Sequence, residues 1–321
     1  MADVAGIAKP TRLIDTDELR DISRRRPARA VAAIVRQWVV IAAAIAGAVW
    51  WGHWYVYPLA IVVIATRQHA LAVLMHDGAH RSLLSNRTAN DLISDLLLAF
   101  PLFVSTTLYR KHHLDHHRYL NTDRDPDLDT AALARTSGEW TRMFAGDITG
   151  INLLKTIDTL DQFSLLPVLR GNRRVIDAMG KGRRNLFLGY LAALAAVLTV
   201  TGGWLLYLLL WIVPSLTALS MILRLRAVAE HVGCDPDGGV GGTRTVLAGP
   251  LERLLFSPCR INYHMAHHLY PSVPFYNLAL LHRALMTDPQ VSERARISYS
   301  YLFGERSVLR DIARARHASA A

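Results

Sequence analysis

Residues 185–223 read NLFLGYLAALAAVLTVTGGWLLYLLLWIVPSLTALSMIL, and this stretch decides the fold. It contains two apolar runs, at 185–200 and 204–223, joined by the turn signal Thr-Gly-Gly at 201–203. A helix needs about 20 residues, with a lower limit of about 17, to cross the hydrocarbon core of a bilayer. The stretch is therefore predicted to form a helical hairpin in a membrane.

A second pair of apolar runs lies upstream, at residues 38–54 and 55–75. Some runs are short for a membrane span, but both pairs have short connections. Hydrophobic residues make up 51% of the chain, which is high for a soluble domain. We therefore predict four transmembrane helices in two hairpins. Arg67, Gln68 and His69 interrupt the second run, and we expect them in the cytoplasmic third of that span, either facing other helices or extending to the membrane interface.

The formal net charge of the chain is +10, and its distribution predicts the orientation in the membrane. Many cations lie between the two apolar pairs, and a further group lies in the first 30 residues. The connections at the two hairpin tips contain no lysine or arginine. The positive-inside rule therefore places both termini and the middle segment in the cytoplasm. This accounts for the positive charge without nucleic acid as a partner.

Three segments follow from this pattern. Residues 1–30 are predicted to form a basic cytosolic N-terminal arm, residues 31–290 a membrane domain, and residues 291–321 a cytosolic C-terminal tail. The two cysteines, Cys234 and Cys259, form no CxxC pair, so no rubredoxin-like or iron–sulfur module is predicted.

The chain has 14 histidines, and most of them fall in three clusters. The clusters read HDGAH at 76–80, HHLDHH at 112–117 and HMAHH at 264–268. All three lie just outside the predicted spans, on the side predicted to be cytoplasmic. Residues three or four apart lie on one face of a helix, so each cluster can present several imidazoles to one centre.

The number of clustered imidazoles predicts a centre with two metal ions. Imidazole is a ligand for iron, copper and zinc. Eight histidines stand at ligand spacing, which is more than one ion can hold: His76, His80, His113, His116, His117, His264, His267 and His268. Spacing alone leaves the register of the second cluster open, because His112 pairs with His116 just as His113 pairs with His117.

Acidic residues stand close to the histidines in the sequence. A ligating histidine usually donates its second N–H to a carboxylate or carbonyl, and Asp77, Asp115 and Glu230 are near enough in sequence to accept it. Aspartates also alternate along NTDRDPDLD at 121–129. That pattern lacks the glycine at position six and the glutamate at position twelve of a calcium loop, so we predict a cytosolic turn there.

The clusters, their order around the two hairpins and the surrounding residues resemble the membrane fatty-acid desaturase superfamily. The resemblance covers roughly residues 30 to 290 and is carried by HDGAHRSL (76–83), RKHHLDHHRYLNT (110–122) and YHMAHHLYPSVPFYNL (263–278). It implies an all-α integral membrane fold, with four transmembrane helices in two hairpins and a cytosolic helical cap that carries the histidine boxes.

The resemblance also implies the ligand set. It favours His113, His116 and His117 in the second box, so His112 would support the ligands rather than bind metal. It adds a ninth ligand, His231, after the last span. Related acyl-CoA desaturases have an asparagine four residues before that histidine, which contacts one metal through water. This sequence has Ala227 there, so one coordination position is open or filled otherwise.

The function that the resemblance implies is O2-dependent desaturation of an acyl chain of a lipid or fatty acid, with two iron ions as cofactor. A lipid, carotenoid or alkane hydroxylase or ketolase with the same site is the alternative, because the boxes do not identify the substrate. A non-catalytic membrane metal or haem binder is more remote, since the clusters lie outside the spans. The electrons would come from an external donor such as a ferredoxin, rubredoxin or cytochrome, docked on the basic face.

Overall fold

The structure, a computed structural model, describes residues 13–128, 137–152, 163–236 and 238–320. The first 12 residues of the predicted N-terminal arm, Asp129 of the aspartate-rich turn and the last residue of the predicted tail lie outside the described residues. The described chain is mostly helical, which confirms the predicted helical class. One pair of three-residue strands is present in these ranges, and the helices and strands are numbered below in chain order.

Four helical runs among the described residues are long and apolar enough to cross a membrane, which confirms the predicted number of spans. The first three are α2 (Pro27–Trp51), α3 (Val56–Ala79) and α9 (Lys181–Thr201). The fourth extends from Trp204 to His231 and consists of α10 (Trp204–Tyr207), a π-helical turn (Leu208–Ile212), α11 (Val213–Leu216) and α12 (Ala218–His231).

The remaining helices and strands are short. The helices are α1 (Thr16–Ile22), α4 (Arg87–Ser94), α5 (Thr106–Tyr119), α6 (Ser137–Ile148), α7 (Leu166–Leu169), α8 (Arg173–Met179), α13 (Pro250–Phe256), α14 (His264–Leu269), α15 (Leu278–Leu285), α16 (Pro289–Arg294) and α17 (Val308–Ala320). A π-helical turn covers Asp95–Ala99, and 3₁₀ turns cover Phe100–Leu102, Gly239–Gly241, Pro258–Arg260 and Phe275–Asn277. Strands β1 (Arg244–Val246) and β2 (Arg296–Ser298) pair in parallel.

Helix-terminating residues, rather than hydrophobicity, set the ends of the spans. α2 begins at Pro27, well before the predicted start at residue 38, because proline needs no N–H partner in the first turn. Gly52 ends α2 with φ 62°, and Gly202 ends α9 with φ 64°. Both have the left-handed conformation that favours glycine. The predicted apolar runs are therefore the central parts of longer helices.

Aromatic side chains surround the short connection between α2 and α3. Trp50 is 88% exposed and Trp54 is 82% exposed, and Tyr55 is also exposed. Trp204 is exposed at the start of the fourth run. Tryptophan and tyrosine are enriched where a membrane protein leaves the hydrocarbon for water. These side chains therefore mark one boundary of the apolar layer.

Helix α3 lies at the centre of the fold and packs against α2, α5 and α12. Its polar residues at positions 67–69 are all buried and face other helices rather than the membrane interface. The Arg67 guanidinium donates to Gln37 Oε1 of α2 and to the carbonyl of Leu254, both at 3.1 Å. Arg67 therefore joins α3 to α2 and to α13.

Two π-helical turns meet at a stacked pair of tryptophans. The rings of Trp38 and Trp211 are 5.6 Å apart and nearly parallel. Trp38 Nε1 donates to the carbonyl of Leu97 in the first π turn, at 3.1 Å. The amide of Gln68 donates to the carbonyl of Trp211 in the second π turn, at 2.8 Å. These hydrogen bonds join α2 to the first π turn and α3 to the second.

The end of α3 is held where it meets α4 and α5. Arg110 of α5 donates through Nε to the carbonyl of Ala79 at 2.7 Å and through Nη2 to that of Gly78 at 3.1 Å. The Asn90 amide also donates to the Gly78 carbonyl, at 2.9 Å. A Cβ on Gly78 would lie 2.3 Å from Ser94 Oγ. The close approach of the two helices therefore requires glycine at position 78.

We expect Gly78→Ala to destabilise the protein by about 1–3 kcal/mol, because the added methyl group must displace a buried serine of α4. The measurement is the thermal unfolding midpoint in detergent. Gly47→Ala is the matched control, since nothing lies within 4 Å of a Cβ at that helical glycine. Equal midpoints for the two variants would contradict this account of the α3–α4 contact.

Candidate metal centre

A first group of imidazoles converges at the end of α3. One ring nitrogen from each of five histidines lies within 4.8 Å of the others: His76, His80, His113, His117 and His267. The shortest contacts join His117 Nε2 to His113 Nε2 at 2.9 Å and to His267 Nε2 at 3.1 Å. The three predicted boxes thus contribute to one group, through the end of α3, α5 and α14.

A second group lies beside the first and is built around His231. A ring nitrogen of His231 lies within 4.8 Å of a ring nitrogen of His116 and of one of His268. A ring nitrogen of His231 also lies within 4.8 Å of a ring nitrogen of His264 and of a carboxylate oxygen of Glu230. His231 Nε2 and His264 Nε2 are 3.1 Å apart. His231 is the last residue of α12, so its position is set by the end of the fourth apolar run.

The ring nitrogens fit ligation of metal ions. Both ring nitrogens of His76, and Nε2 of His80 and of His268, are buried without a hydrogen-bond partner among the described residues. Buried polar atoms normally have a partner. Two nitrogens that lie about 2.1 Å from one ion at a right angle are about 3.0 Å apart, which matches the short nitrogen–nitrogen contacts. The five nitrogens of the first group therefore fit one metal ion, and the overlapping sets of three donors around His231 could hold another.

The burial of the site favours the uncharged imidazoles that a metal requires. Burial, reinforced at His80 by the Arg110 guanidinium and at His117 by the neighbouring histidines, lowers the pKa of His80 to about 4 and that of His117 to about 2. Burial also lowers the pKa well below the ordinary histidine value at His113, His264, His267 and His268. At neutral pH these rings keep a free lone pair for a metal ion.

The aspartate-rich turn after α5 supplies carboxylates to the second box. His116 Nδ1 donates to Asp125 Oδ1 at 2.8 Å, and His112 Nε2 donates to Asp127 Oδ1 at the same distance. Burial alone would raise the pKa of Asp125, but its hydrogen bond with His116 holds that pKa below the usual range. The proton on Nδ1 leaves Nε2 of His116 free to face a metal.

The carboxylates singled out from sequence proximity have different surroundings. Asp77 Oδ2 accepts from the backbone N–H of Phe275 at 2.9 Å, while its Oδ1 lies 3.6 Å from His76 Nδ1, beyond hydrogen-bond distance. Glu230 Oε2 lies 3.5 Å from His264 Nε2. Within the described part of the chain, Asp115 makes no hydrogen bond or ion pair with a histidine.

Sequence reasoning missed Asp125 and Asp127 as partners of the histidines. The turn predicted at this position is present, and it folds the chain back against α5. Asn121 allows this reversal because it adopts φ 60°, and its backbone N–H donates to Asp125 Oδ2 at 2.9 Å. The alternation of aspartates directly after a histidine box is the signal that could have identified them.

Comparison with known proteins identifies a family for most of the chain. The family model described as "Fatty acid desaturase" matches residues 52–301. The chain is 32% identical over 251 residues to "Dihydrorhizobitoxine desaturase" of Bradyrhizobium elkanii, which covers 74% of this chain and 69% of the relative. It is 26% identical over 245 residues to "sn-1 oleoyl-lipid 12-desaturase" of Synechocystis sp., covering 72% of this chain and 69% of the relative.

A third relative has a name that joins two activities. The chain is 27% identical over 222 residues to "Sphingolipid delta(4)-desaturase/C4-monooxygenase DES2" of Homo sapiens, covering 67% of this chain and 61% of the relative. The family match includes all three histidine boxes and His231. This protein, a membrane enzyme with four apolar helices, therefore belongs to the fatty acid desaturase family.

Proposed function

We propose that this protein is an O2-dependent di-iron oxidoreductase that desaturates an acyl chain of a lipid or fatty acid. The observation that supports it is the convergence of nine buried or half-buried imidazoles: five form one group, and the other four lie in two sets of three donors that share His231. Iron, when bound, would couple reduction of O2 to two waters with removal of two hydrogens from neighbouring methylenes. Two of the four electrons come from the substrate and two from an external donor.

The proposed iron ligands are the nine histidines of the two groups. The first ion would be held by His76, His80, His113, His117 and His267, and the second by His116, His231, His264 and His268. Imidazole ligands also suit zinc and copper, and family membership favours iron. Absorption by haem in the visible range would support the remote alternative of a haem binder, whereas about two irons per chain without it would support the di-iron centre.

The protein's own residues would hold and orient the ligands and keep water from the site. Asp125 keeps a proton on Nδ1 of His116, and Arg110 fixes the end of α3, from which His76 and His80 project. Both His76 and His267 are at most 2% exposed, so the site is shielded from bulk solvent. Exclusion of water protects a reactive centre from side reactions.

A hydroxylase or ketolase acting on a lipid, carotenoid or alkane is the second candidate. The combined desaturase and monooxygenase name of one relative supports it, because both reactions begin with removal of hydrogen from carbon. The two outcomes differ in the fate of the second hydrogen and the oxygen. Loss of a second hydrogen gives an alkene, whereas transfer of oxygen to the carbon gives an alcohol.

Product analysis should distinguish the two. We expect lipids from a host with a defined lipid pool that expresses the protein to include species lacking two hydrogens, detected by mass spectrometry. Species with one added oxygen would favour the hydroxylase. The matched control is the His268→Ala variant, which should leave the lipid pool of the host unchanged. Identical lipid profiles with the wild type and this variant would contradict both candidates.

We propose that the helices form two membrane hairpins, with both termini, a helical cap and the metal centre on the cytoplasmic side. The arginines and lysines between the apolar stretches of the second and third spans support this orientation, among them Arg81, Arg110, Lys111, Arg183 and Arg184. Residues 1–30 and 291–321 would then be cytosolic, and residues 31–290 would form the membrane domain.

Labelling with a membrane-impermeant thiol reagent tests this orientation. The reagent should label a cysteine introduced at Gly52 from the outside of intact cells, and it should label one introduced at Asp123 only after the membrane is opened.

We propose an acidic electron-transfer protein, such as a ferredoxin, rubredoxin or cytochrome, as the electron donor. A basic cavity of about 470 Å³ supports this idea, and its lining includes Arg244, Arg296, Arg306 and Arg314. The Arg244 guanidinium donates to the carbonyls of Ala229 and Val232, which flank the ligand His231. Electron transfer should slow as ionic strength rises. A rate independent of salt would count against docking by charge.

A further inference from the structure

The two imidazole groups are unequal, and a carboxylate lies beside the smaller one. The first group has five nitrogen donors, whereas the second consists of two sets of three donors that share His231: one adds His116 and His268, and the other adds His264 and Glu230. Glu230 is 5% exposed, and one of its carboxylate oxygens lies within 4.8 Å of ring nitrogens of His231 and His264. Among the described residues, Glu230 is thus the one acidic residue that clusters with two of the proposed ligands of the second ion.

The distances favour shared ligation over a hydrogen bond between Glu230 and His264. An N–H donor lies about 2.7–2.9 Å from a carboxylate oxygen in a charge-assisted hydrogen bond. Glu230 Oε2 lies 3.5 Å from His264 Nε2. Two donors bound about 2.1 Å from one ion are separated by about 3.0 Å at a right angle and by about 3.4 Å at the tetrahedral angle. His264 Nε2 lies 3.5 Å from Glu230 Oε2 and 3.1 Å from His231 Nε2. Both distances fit donor atoms that surround one ion.

Arg226 holds the carboxylate in this position. Its Nε donates to Glu230 Oε1 at 2.6 Å, one turn earlier on α12. Because Oε1 is engaged by the arginine, Oε2 is the oxygen that faces the imidazoles. Ala227, on the same turn, has no donor atom in its side chain.

We propose that Glu230 is the fifth protein donor of the second ion, through Oε2, and that Arg226 is its positioning residue. This inference rests on the proposed di-iron function. The two ions would then differ in charge environment, because one has only neutral imidazoles and the other also has a carboxylate. A hard anionic oxygen donor stabilises the higher oxidation state of iron. The second ion would therefore be the one that is oxidised more readily.

The test is Mössbauer spectroscopy of the reduced, ⁵⁷Fe-loaded protein in detergent, together with measured iron content. We expect two doublets of equal area in the wild type. In Glu230→Gln one doublet should shift while the other keeps its position, since a neutral amide replaces the carboxylate. In Glu230→Ala, iron bound at one site should weaken at least tenfold when titrated with a chelator. Arg226→Lys should shift the same doublet less than Arg226→Gln does.

Glu252→Gln is the matched control, because Glu252 accepts hydrogen bonds from the backbone of Tyr301 and Leu302 away from the imidazoles. It should leave both doublets in place. Two unchanged doublets in Glu230→Gln would overturn the inference. This variant keeps a hydrogen-bond partner for Arg226, so it allows the test even if Glu230→Ala does not fold. A wild-type protein without two irons would instead overturn the di-iron proposal.

Discussion

Replacement of His267 with alanine should abolish turnover and remove iron while the protein stays in the membrane. His267 is 1% exposed, and its Nε2 lies 3.1 Å from that of His117. Its ring is also packed against His76, with centroids 4.3 Å apart. Loss of this ring removes a donor from the centre of the five-nitrogen group. We expect activity below about one-hundredth of wild type, since even residues that only support a ligand contribute 10–100-fold.

Metal analysis and fractionation measure this result. Iron should fall from about two per chain to about one or fewer, because ligand loss lowers affinity directly. The apolar helices α2 and α9 do not contain the histidine, so the variant should remain in the membrane fraction after a carbonate wash. His282→Ala is the control, because His282 is buried but lies outside both groups. An active, iron-loaded His267→Ala protein would contradict the assignment.

Replacement of Asp125 with alanine should weaken iron binding about 10- to 100-fold without removing any ligand. Asp125 accepts from His116 Nδ1, and its carboxylate also receives the backbone N–H groups of Asn121 and Asp127. The variant therefore loses both the orientation of His116 and the shape of the turn. Asp125→Asn should have a smaller effect, because the amide can still accept from the imidazole and from the backbone.

A chelator titration of the iron-loaded protein measures this loss of affinity. Asp123→Asn is the control within the same turn, because Asp123 belongs to the same series of alternating aspartates as Asp125 but has an exposed side chain. It should release iron at the wild-type chelator concentration. If Asp123 and Asp125 variants released iron equally, the hydrogen bond with His116 would not support the ligand.

The spans were predictable because apolar composition over about 20 residues is a strong signal of a membrane helix. Their ends were not, because they depend on local backbone chemistry. Pro27 starts α2 within a polar sequence, and the polar residues 67–69 continue α3 without interruption. Charged and amide side chains are tolerated there because Gln37, Trp211 and Leu254 accept their hydrogen bonds, which hydrophobicity cannot reveal.

The histidine boxes and a shared two-metal centre were predictable from the spacing and number of the imidazoles, whereas the register of the second box and the ninth histidine, His231, came from the family resemblance. Spacing also misleads about neighbouring acids. Asp115 precedes His116 by one residue on a helix, so its side chain leaves the helix about 100° away from that imidazole. Glu230 likewise precedes His231, but its carboxylate lies closest to His264, which belongs to a different segment of the chain. Asp125 escapes sequence reasoning because its position depends on the left-handed conformation of Asn121.

The length of α3 has a consequence for reconstitution in lipid. Its first residue, Val56, follows the exposed aromatic side chains, and its 24 residues extend to Ala79. An upright helix rises about 30 Å over the 20 residues between Val56 and His76, which equals the thickness of an average hydrocarbon core. A bilayer with longer acyl chains would therefore create a hydrophobic mismatch at α3 and place His76 inside the hydrocarbon.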